Sequence, residues 1–112
     1  MPNPIPTASR VMVHERDKGQ CLRCTGGRVE IHHRRGRAVK DEHTHCGGNL
    51  VSLCAVCHAW VHANPKEAMR LGWIVTREAV DPGTHRLHTT RWGWAVLTCD
   101  GRLTLDGGMR GV

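Results

Sequence analysis

The stretch "LVSLCAVCHAWVHA", residues 50–63, carries the pattern that decides the fold. It begins as an extended apolar run, turns at a pair of cysteines and becomes helical from about Cys57. Two residues separate Cys54 from Cys57, and a backbone turn of this length lets both thiolates reach one ion. The segment therefore predicts a strand, a metal-binding turn and a helix in direct succession.

A second cysteine pair with the same spacing lies upstream, in "CLRC" at residues 21–24. Two such pairs supply the four thiolates that complete a tetrahedron around Zn²⁺. Four unrelated thiols rarely fall at this spacing, and a redox pair needs a βαβ context that the sequence lacks. We therefore predict a structural zinc site formed by Cys21, Cys24, Cys54 and Cys57.

Two cysteines remain outside these pairs. Cys99 lies in a predicted strand, where we expect it to be a small core residue. Cys46, in "HTHCGG", could serve as a spare metal ligand, although a free thiol is the simpler expectation. The neighbouring His43 and His45 are expected to be loop residues rather than ligands.

The segments around the cysteine pairs predict alternating short helices, strands and loops. Residues 1–8, which contain three prolines, predict a disordered tail, and residues 9–17 predict a helix capped by Ser9. The alternating, β-branched residues 28–33 predict a strand. Residues 34–49 show no periodicity and predict a loop.

A helix-start signal at Asn64 predicts a further helix over residues 65–71, ending at Gly72. Beyond it, residues 72–80 and 92–108 predict strands, and the second of these ranges contains a hairpin turn that begins at Asp100. The last third of the chain is therefore expected to be rich in β-structure.

With 112 residues the chain has room for a single α+β domain. We expect a disordered tail over residues 1–8, a metal-binding core over residues 9–72 and a β-rich extension over residues 73–112. The sequence contains no internal repeat.

Composition limits the class of protein and its partners. Lysine and arginine number 16 against 10 acidic residues, and the net charge of +6 suits a polyanionic partner such as nucleic acid. A charge of this size also serves solubility alone. With four tryptophans and neither tyrosine nor phenylalanine, the apolar core is small, and a bound metal compensates for it.

The N-terminal sequence lacks the apolar segment of a secretory signal, and no run approaches the ~18 apolar residues of a membrane span. We therefore expect a cytoplasmic protein without a membrane partner. Thiols stay reduced in that compartment, which favours metal binding by paired cysteines over disulfides.

Histidines cluster around the cysteine pairs. His58 and His62 lie one helical turn apart and share a face, so both could reach one metal. In the strand, His32 and His33 point to opposite faces, so the two rings are suited to different tasks. A zinc site that joins strand and helix could bring one strand histidine to the helical pair. Solvent-exposed histidines remain the simpler alternative for an arbitrary pair at this spacing.

Three segments, "VEIHHRR", "GGNLVSL" and "CAVCHAWVH", resemble the three parts of the HNH endonuclease motif. The resemblance runs from about Val11 to His62 and is strongest to the small zinc-containing HNH nucleases of phages that infect actinobacteria. It implies an α+β domain of the ββα-metal type, with an N-terminal helix, a four-cysteine zinc site and a C-terminal β extension.

The resemblance also implies residue roles. His32 and His58 would bind a catalytic divalent metal, such as Mg²⁺, Mn²⁺, Ni²⁺ or Zn²⁺, and His33 would be the general base. Asn49 would hold the loop that orients the base. His62 matches a position that is a third metal ligand in some members, such as the colicin nucleases.

Three arginines follow the histidine pair, and we expect Arg34, Arg35 and Arg37 to hold the DNA backbone without reading sequence. Many HNH proteins have a proline near the position of Arg35. The predicted function is a metal-dependent DNA endonuclease, in a bacterial host cell, that acts in phage genome packaging beside a terminase or in homing. A catalytically inactive, zinc-stabilised nucleic-acid-binding module is the alternative.

Overall fold

A short antiparallel hairpin and the helix that follows it form the centre of the molecule. The computed structural model describes residues 4–105. Strand β1 (Val29–His33) pairs with β2 (Leu50–Cys54), with His32 opposite Val51. Helix α2 (Ala55–Ala63) follows β2 without a break, because the Cys54 sulfur accepts a hydrogen bond from the Cys57 amide and caps the helix. The strand, turn and helix predicted over residues 50–63 are confirmed.

The described residues form a small mixed α+β domain, and the predicted class is thus confirmed. They contain three α-helices, one 3₁₀ turn and two antiparallel sheets. Besides the elements above, these are α1 (Thr7–Asp17), α3 (Pro65–Arg70), the turn Pro82–Thr84, β3 (Leu87–Thr89), β4 (Gly93–Leu97) and β5 (Leu103–Leu105).

Helix α1 begins at Thr7, earlier than predicted, and Ser9 is not its cap. The hydroxyl of Ser9 instead donates to the carbonyl of His45, which joins the helix to the loop before β2. The expectation of a disordered tail is therefore wrong for residues 7 and 8, and residues 1–3 lie outside the described range. At the other end, buried Asp17 accepts a hydrogen bond from the amide of Ser52 and fastens α1 to β2.

Helix α3 lies at the predicted position, but the side chain of Asn64 does not cap it. Its amide donates to the carbonyl of Trp60 in the preceding helix instead. The helix ends before Gly72, whose φ of 87° and close contact with the carbonyl of Arg86 leave no room for a side chain.

The strand predicted over residues 72–80 is wrong. Trp73 and Val75 are buried, yet their amides donate to the carbonyls of Ala68 and Arg34 rather than to a neighbouring strand. The hairpin predicted further on is confirmed: β4 pairs with β5, and the amide of Gly101 donates to the carbonyl of Thr98 across the turn that contains Asp100. Residues 106–112 of the extension lie outside the described range.

A single apolar cluster joins the hairpin, the helices and the C-terminal sheet. Trp73, Leu87 and Leu97 come from the C-terminal segment and pack with Val51 and Leu53 of β2. Each of these five side chains is buried. The cluster also contains Cys21, Leu22, Cys57, Val61 and Ala68. The cysteine pairs are thus anchored on a core to which both halves of the chain contribute.

Among residues 4–105, no helix combines the length and the apolar character needed to cross a membrane.

Candidate functional site

The two cysteine pairs converge at one point. The sulfur atoms of Cys21, Cys24, Cys54 and Cys57 all lie within 4.8 Å of one another. Cys24 and Cys54 are 3.6 Å apart, close to the ~3.8 Å that separates two thiolates bound to one Zn²⁺ in a tetrahedron. The four cysteines can therefore hold a metal ion such as zinc, as the sequence predicts.

Backbone and side-chain donors surround these sulfurs. The amides of Cys24 and Cys57 each donate to the first sulfur of their own pair, and the Cys57 amide lowers the pKa of Cys54 to about 7. The guanidinium of Arg23 donates to the Cys57 sulfur at 3.3 Å and lies over the ring of Trp60. Because four thiolates and one Zn²⁺ leave a net negative charge, these donors favour the metal-bound state.

A second cluster consists of three imidazoles. His32 comes from β1, whereas His58 and His62 lie one turn apart on α2. One ring nitrogen from each lies within 4.8 Å of the others, and Nδ1 of His32 is 3.2 Å from Nε2 of His58. Two nitrogens bound to one metal at ~2.1 Å in a tetrahedron are about 3.4 Å apart, so the spacing suits a shared ion.

Hydrogen bonds from the opposite ring nitrogens orient the first two rings. Nε2 of His32 donates to the carbonyl of Trp73 at 2.7 Å, and Nδ1 of His58 donates to the carboxylate of Glu30. The ring nitrogens left over, Nδ1 of His32 and Nε2 of His58, face each other. Burial, above all, lowers the pKa of His32 to about 4, which keeps its lone pair available to a metal. Protein metal sites commonly hold their histidines in this way.

His33 stands apart from this cluster. Its Nε2 lies 3.3 Å from Nδ1 of His45, on the other side of β1 from His32. Burial, followed by the charges of Arg37 and His45, lowers the pKa of His33 to about 4. The ring is half-buried and neutral near pH 7, so it can accept a proton.

Asn49 is fully buried and ties the loop after His33 to the segment before β2. Its Oδ1 accepts from the amide of Arg35 at 2.6 Å, and its Nδ2 donates to the carbonyls of Thr44 and Arg35. The backbone carbonyl of Asn49 also accepts from the amide of Arg34. The side chain therefore fixes the backbone that immediately follows the two histidines.

The expectation that Arg34 and Arg35 contact phosphate is wrong, because both side chains are 1% exposed. The guanidinium of Arg35 donates to the carbonyls of Ala79 and Val80 and pairs with Asp41. That of Arg34 donates to the backbone carbonyls of Gly48, Gly72, Pro82, His85 and Arg86. The two guanidinium groups that we expected to bind DNA phosphates instead donate to backbone carbonyls of loops, which have no strand partners.

A cleft of 490 Å³ opens over the histidines. Its walls include Arg10 of α1 and Arg37, both exposed, and it is also lined by Glu30 and Gly36. The histidines that line the cleft are His32, His33, His58 and His62. Of the three arginines that follow the histidine pair, Arg37 is thus the one at the site.

Sequence reasoning missed several residues that shape the site. Glu30 lies two residues before His32, on the same face of β1, so strand alternation could have found it. Arg10 and Arg23 carry no signal, since folding alone brings them to the two clusters. Trp73 contributes to the site through its backbone carbonyl, which accepts from His32, and a pattern of side chains cannot predict such a contact.

No family model, no curated protein and no solved structure matches this chain. The resemblance to HNH endonucleases therefore stays a prediction. What the geometry defines is a protein with a four-thiolate cluster and, separately, a three-imidazole cluster that lies in a basic cleft. The first has no position for a substrate, whereas a metal held by three imidazoles keeps open coordination positions.

Proposed function

We propose that the protein is a metal-dependent endonuclease of the HNH type that hydrolyses DNA phosphodiester bonds. One observation carries the proposal: His33 and the cluster of His32, His58 and His62 line the same basic cleft, yet do not contact the same groups. A cleft that only binds nucleic acid needs neither a neutral base nor an open metal position.

The three imidazoles of His32, His58 and His62 would hold the divalent metal. Their nitrogens favour Zn²⁺ or Ni²⁺ over Mg²⁺, which prefers oxygen ligands. When bound, the metal supplies Lewis-acid stabilisation of the negative charge that develops on the phosphate and its leaving oxygen. Glu30 and the carbonyl of Trp73 hold two of the ligands in the required orientation.

His33 would accept the proton of the water that attacks the phosphorus. Its pKa of about 4 keeps the ring unprotonated near pH 7, and its position in the wall of the cleft gives it access to the scissile phosphate. Asn49 is the positioning residue, because it holds the backbone after His33 through both ends of its amide.

Arg10 and Arg37 would hold the DNA backbone at the cleft that the histidines line. Both residues are exposed and line the cleft. Contacts of this kind secure the phosphates without reading the bases, so we expect cleavage with weak sequence preference.

The inactive, zinc-stabilised binding module remains the second function to test. The four-cysteine cluster and the net charge of +6 suit it equally well. The convergence of His32, His58 and His62 on one point favours the nuclease, because a module that only binds nucleic acid needs no metal position open to a substrate.

The test combines plasmid cleavage with DNA binding. We expect wild-type protein to convert supercoiled plasmid to nicked or linear product with Ni²⁺, Zn²⁺ or Mn²⁺ and not with a chelator. The variant His58→Ala/His62→Ala should bind DNA with near wild-type affinity but cleave it slowly. The control His88→Ala removes an exposed histidine of β3 and should change neither property. DNA binding without cleavage under every metal would establish the inactive module instead.

A further inference from the structure

A third cluster of metal-ligating side chains lies away from the cleft. It consists of His43, Cys46 and Cys99, and one ligand atom from each lies within 4.8 Å of the others. Cys46 is 8% exposed, whereas Cys99 follows β4 and is exposed, contrary to the expectation of a core residue. Nδ1 of His43 is buried and has no hydrogen-bond partner among the described residues. A buried, unpartnered nitrogen beside two sulfurs indicates a missing partner.

The chemistry of this set is that of a zinc-type site. Two thiolates and one imidazole are ligands that bind Zn²⁺ or Co²⁺ and select against Mg²⁺ and Ca²⁺. Asp81 borders the set, with its Oδ1 3.6 Å from Nδ1 of His43. A carboxylate at this place can complete the fourth position directly or through a water molecule.

Close backbone packing fixes the two cysteines relative to each other. The amide of Gly47 donates to the carbonyl of Cys99 at 2.9 Å, and that of Gly48 donates to the sulfur of Cys46. A Cβ atom on Gly48 would lie only 2.5 Å from the Cα of Gly83. Only glycine permits this approach, so the backbone around Cys46 is packed closely against the C-terminal segment.

We propose that His43, Cys46 and Cys99 form a second thiolate metal site of the zinc type, with Asp81 beside its fourth position. The site joins the loop that carries His45 and Asn49 to the end of β4. A metal bound there stabilises the position of Asn49 from the C-terminal sheet. This site neither contacts the cleft nor depends on the proposed nuclease activity.

Binding of Co²⁺ tests the proposal, because the thiolate-to-cobalt absorption band counts sulfur ligands. The three-imidazole cluster contains no sulfur and adds nothing to this band. With six cysteines in the chain, Cys46→Ser/Cys99→Ser should lose about one third of the band and keep the rest. The retained part shows that the four-cysteine site, and with it the fold, is intact. A band of wild-type intensity in this variant would overturn the proposal.

A second variant keeps the test decisive if the double substitution unfolds the protein. His43→Gln retains all six thiols. In a Co²⁺ titration of the thiolate band, binding to the proposed site forms a second phase after binding to the four cysteines. His43→Gln should weaken the affinity of this second phase at least tenfold, whereas His88→Gln should leave it unchanged. An unchanged second phase in His43→Gln contradicts the site. So does a native disulfide, which would show as a mass lower by two hydrogens and as the disappearance of the Cys46 and Cys99 thiols.

Discussion

Nδ1 of His32 lies 3.2 Å from Nε2 of His58, although the two residues come from a strand and a helix on opposite sides of the cysteine turn. The turn at Cys54 joins β2 to α2, and β2 in turn pairs with the strand of His32. The strand pairing and the turn at Cys54, a member of the four-cysteine cluster, therefore set the distance between the two imidazoles. Loss of metal from the cysteines is expected to disturb the second cluster as well.

Glu30→Ala should weaken metal binding by the histidine cluster by about tenfold to a hundredfold, because the carboxylate orients His58 and raises its basicity as a ligand. Calorimetric titration with Ni²⁺ measures this change. Glu78→Ala, at an exposed carboxylate outside the cleft, is the matched control and should bind like wild type. Equal affinities for the two variants would show that Glu30 does not support the site.

Cys24→Ser should lower the unfolding midpoint of the zinc-loaded protein by more than about 10 °C, a loss of about 2 kcal/mol for a domain of this size. The Cys24 side chain is exposed and contributes little packing, so a large effect requires a bound metal. Thermal unfolding followed by circular dichroism gives the midpoint. After chelation the variant and wild type should unfold alike. A difference that survives chelation would assign the loss to packing.

The cysteine pairs, the hairpin strands and α2 could be predicted because their signals are local: fixed spacing, alternation and β-branched residues. The burial of Arg34 could not, since the carbonyls that it binds are contributed by segments up to 52 residues away. The prediction that Ser9 caps α1 failed for a similar reason, because its hydroxyl donates to the carbonyl of His45 rather than to its own helix. A local sequence pattern cannot identify hydrogen-bond partners that are distant along the chain and become neighbours only on folding.

Arg34→Met should lower the free energy of unfolding by at least about 3 kcal/mol, because several loop carbonyls lose their donor at about 1 kcal/mol or more each. Urea denaturation measures the change. The control Arg77→Met alters an exposed arginine and should stay within about 0.5 kcal/mol of wild type. A stable Arg34→Met protein with weakened DNA binding would restore the phosphate role that its burial contradicts.

Arg37→Ala should weaken DNA binding to all sequences and reduce the slope of log affinity against log salt by about one unit for each phosphate that the variant no longer neutralises. The residue is exposed and lines the cleft, so the free energy of unfolding should hardly change. Fluorescence anisotropy over a range of salt concentrations gives the slope, with Arg77→Ala as the control. A changed sequence preference at constant slope would mean that Arg37 contacts bases.

The two adjacent histidines allow the sharpest test of the proposed mechanism. His33→Ala should reduce cleavage by about 10²–10⁴-fold, because it removes the base while the three metal ligands stay in place. His32→Ala should also cleave slowly, but through weaker metal binding, so a higher Ni²⁺ concentration should recover part of its activity. No metal concentration should recover His33→Ala.

Single-turnover cleavage rates measured across a Ni²⁺ titration separate these two defects, and His88→Ala provides the control. The contrast depends on the different surroundings of the two rings: His32 faces His58, whereas His33 faces His45. Because the rings point to opposite sides of β1, removing one leaves the neighbours of the other intact. The same residual rate and the same metal dependence in both variants would contradict separate roles for His32 and His33.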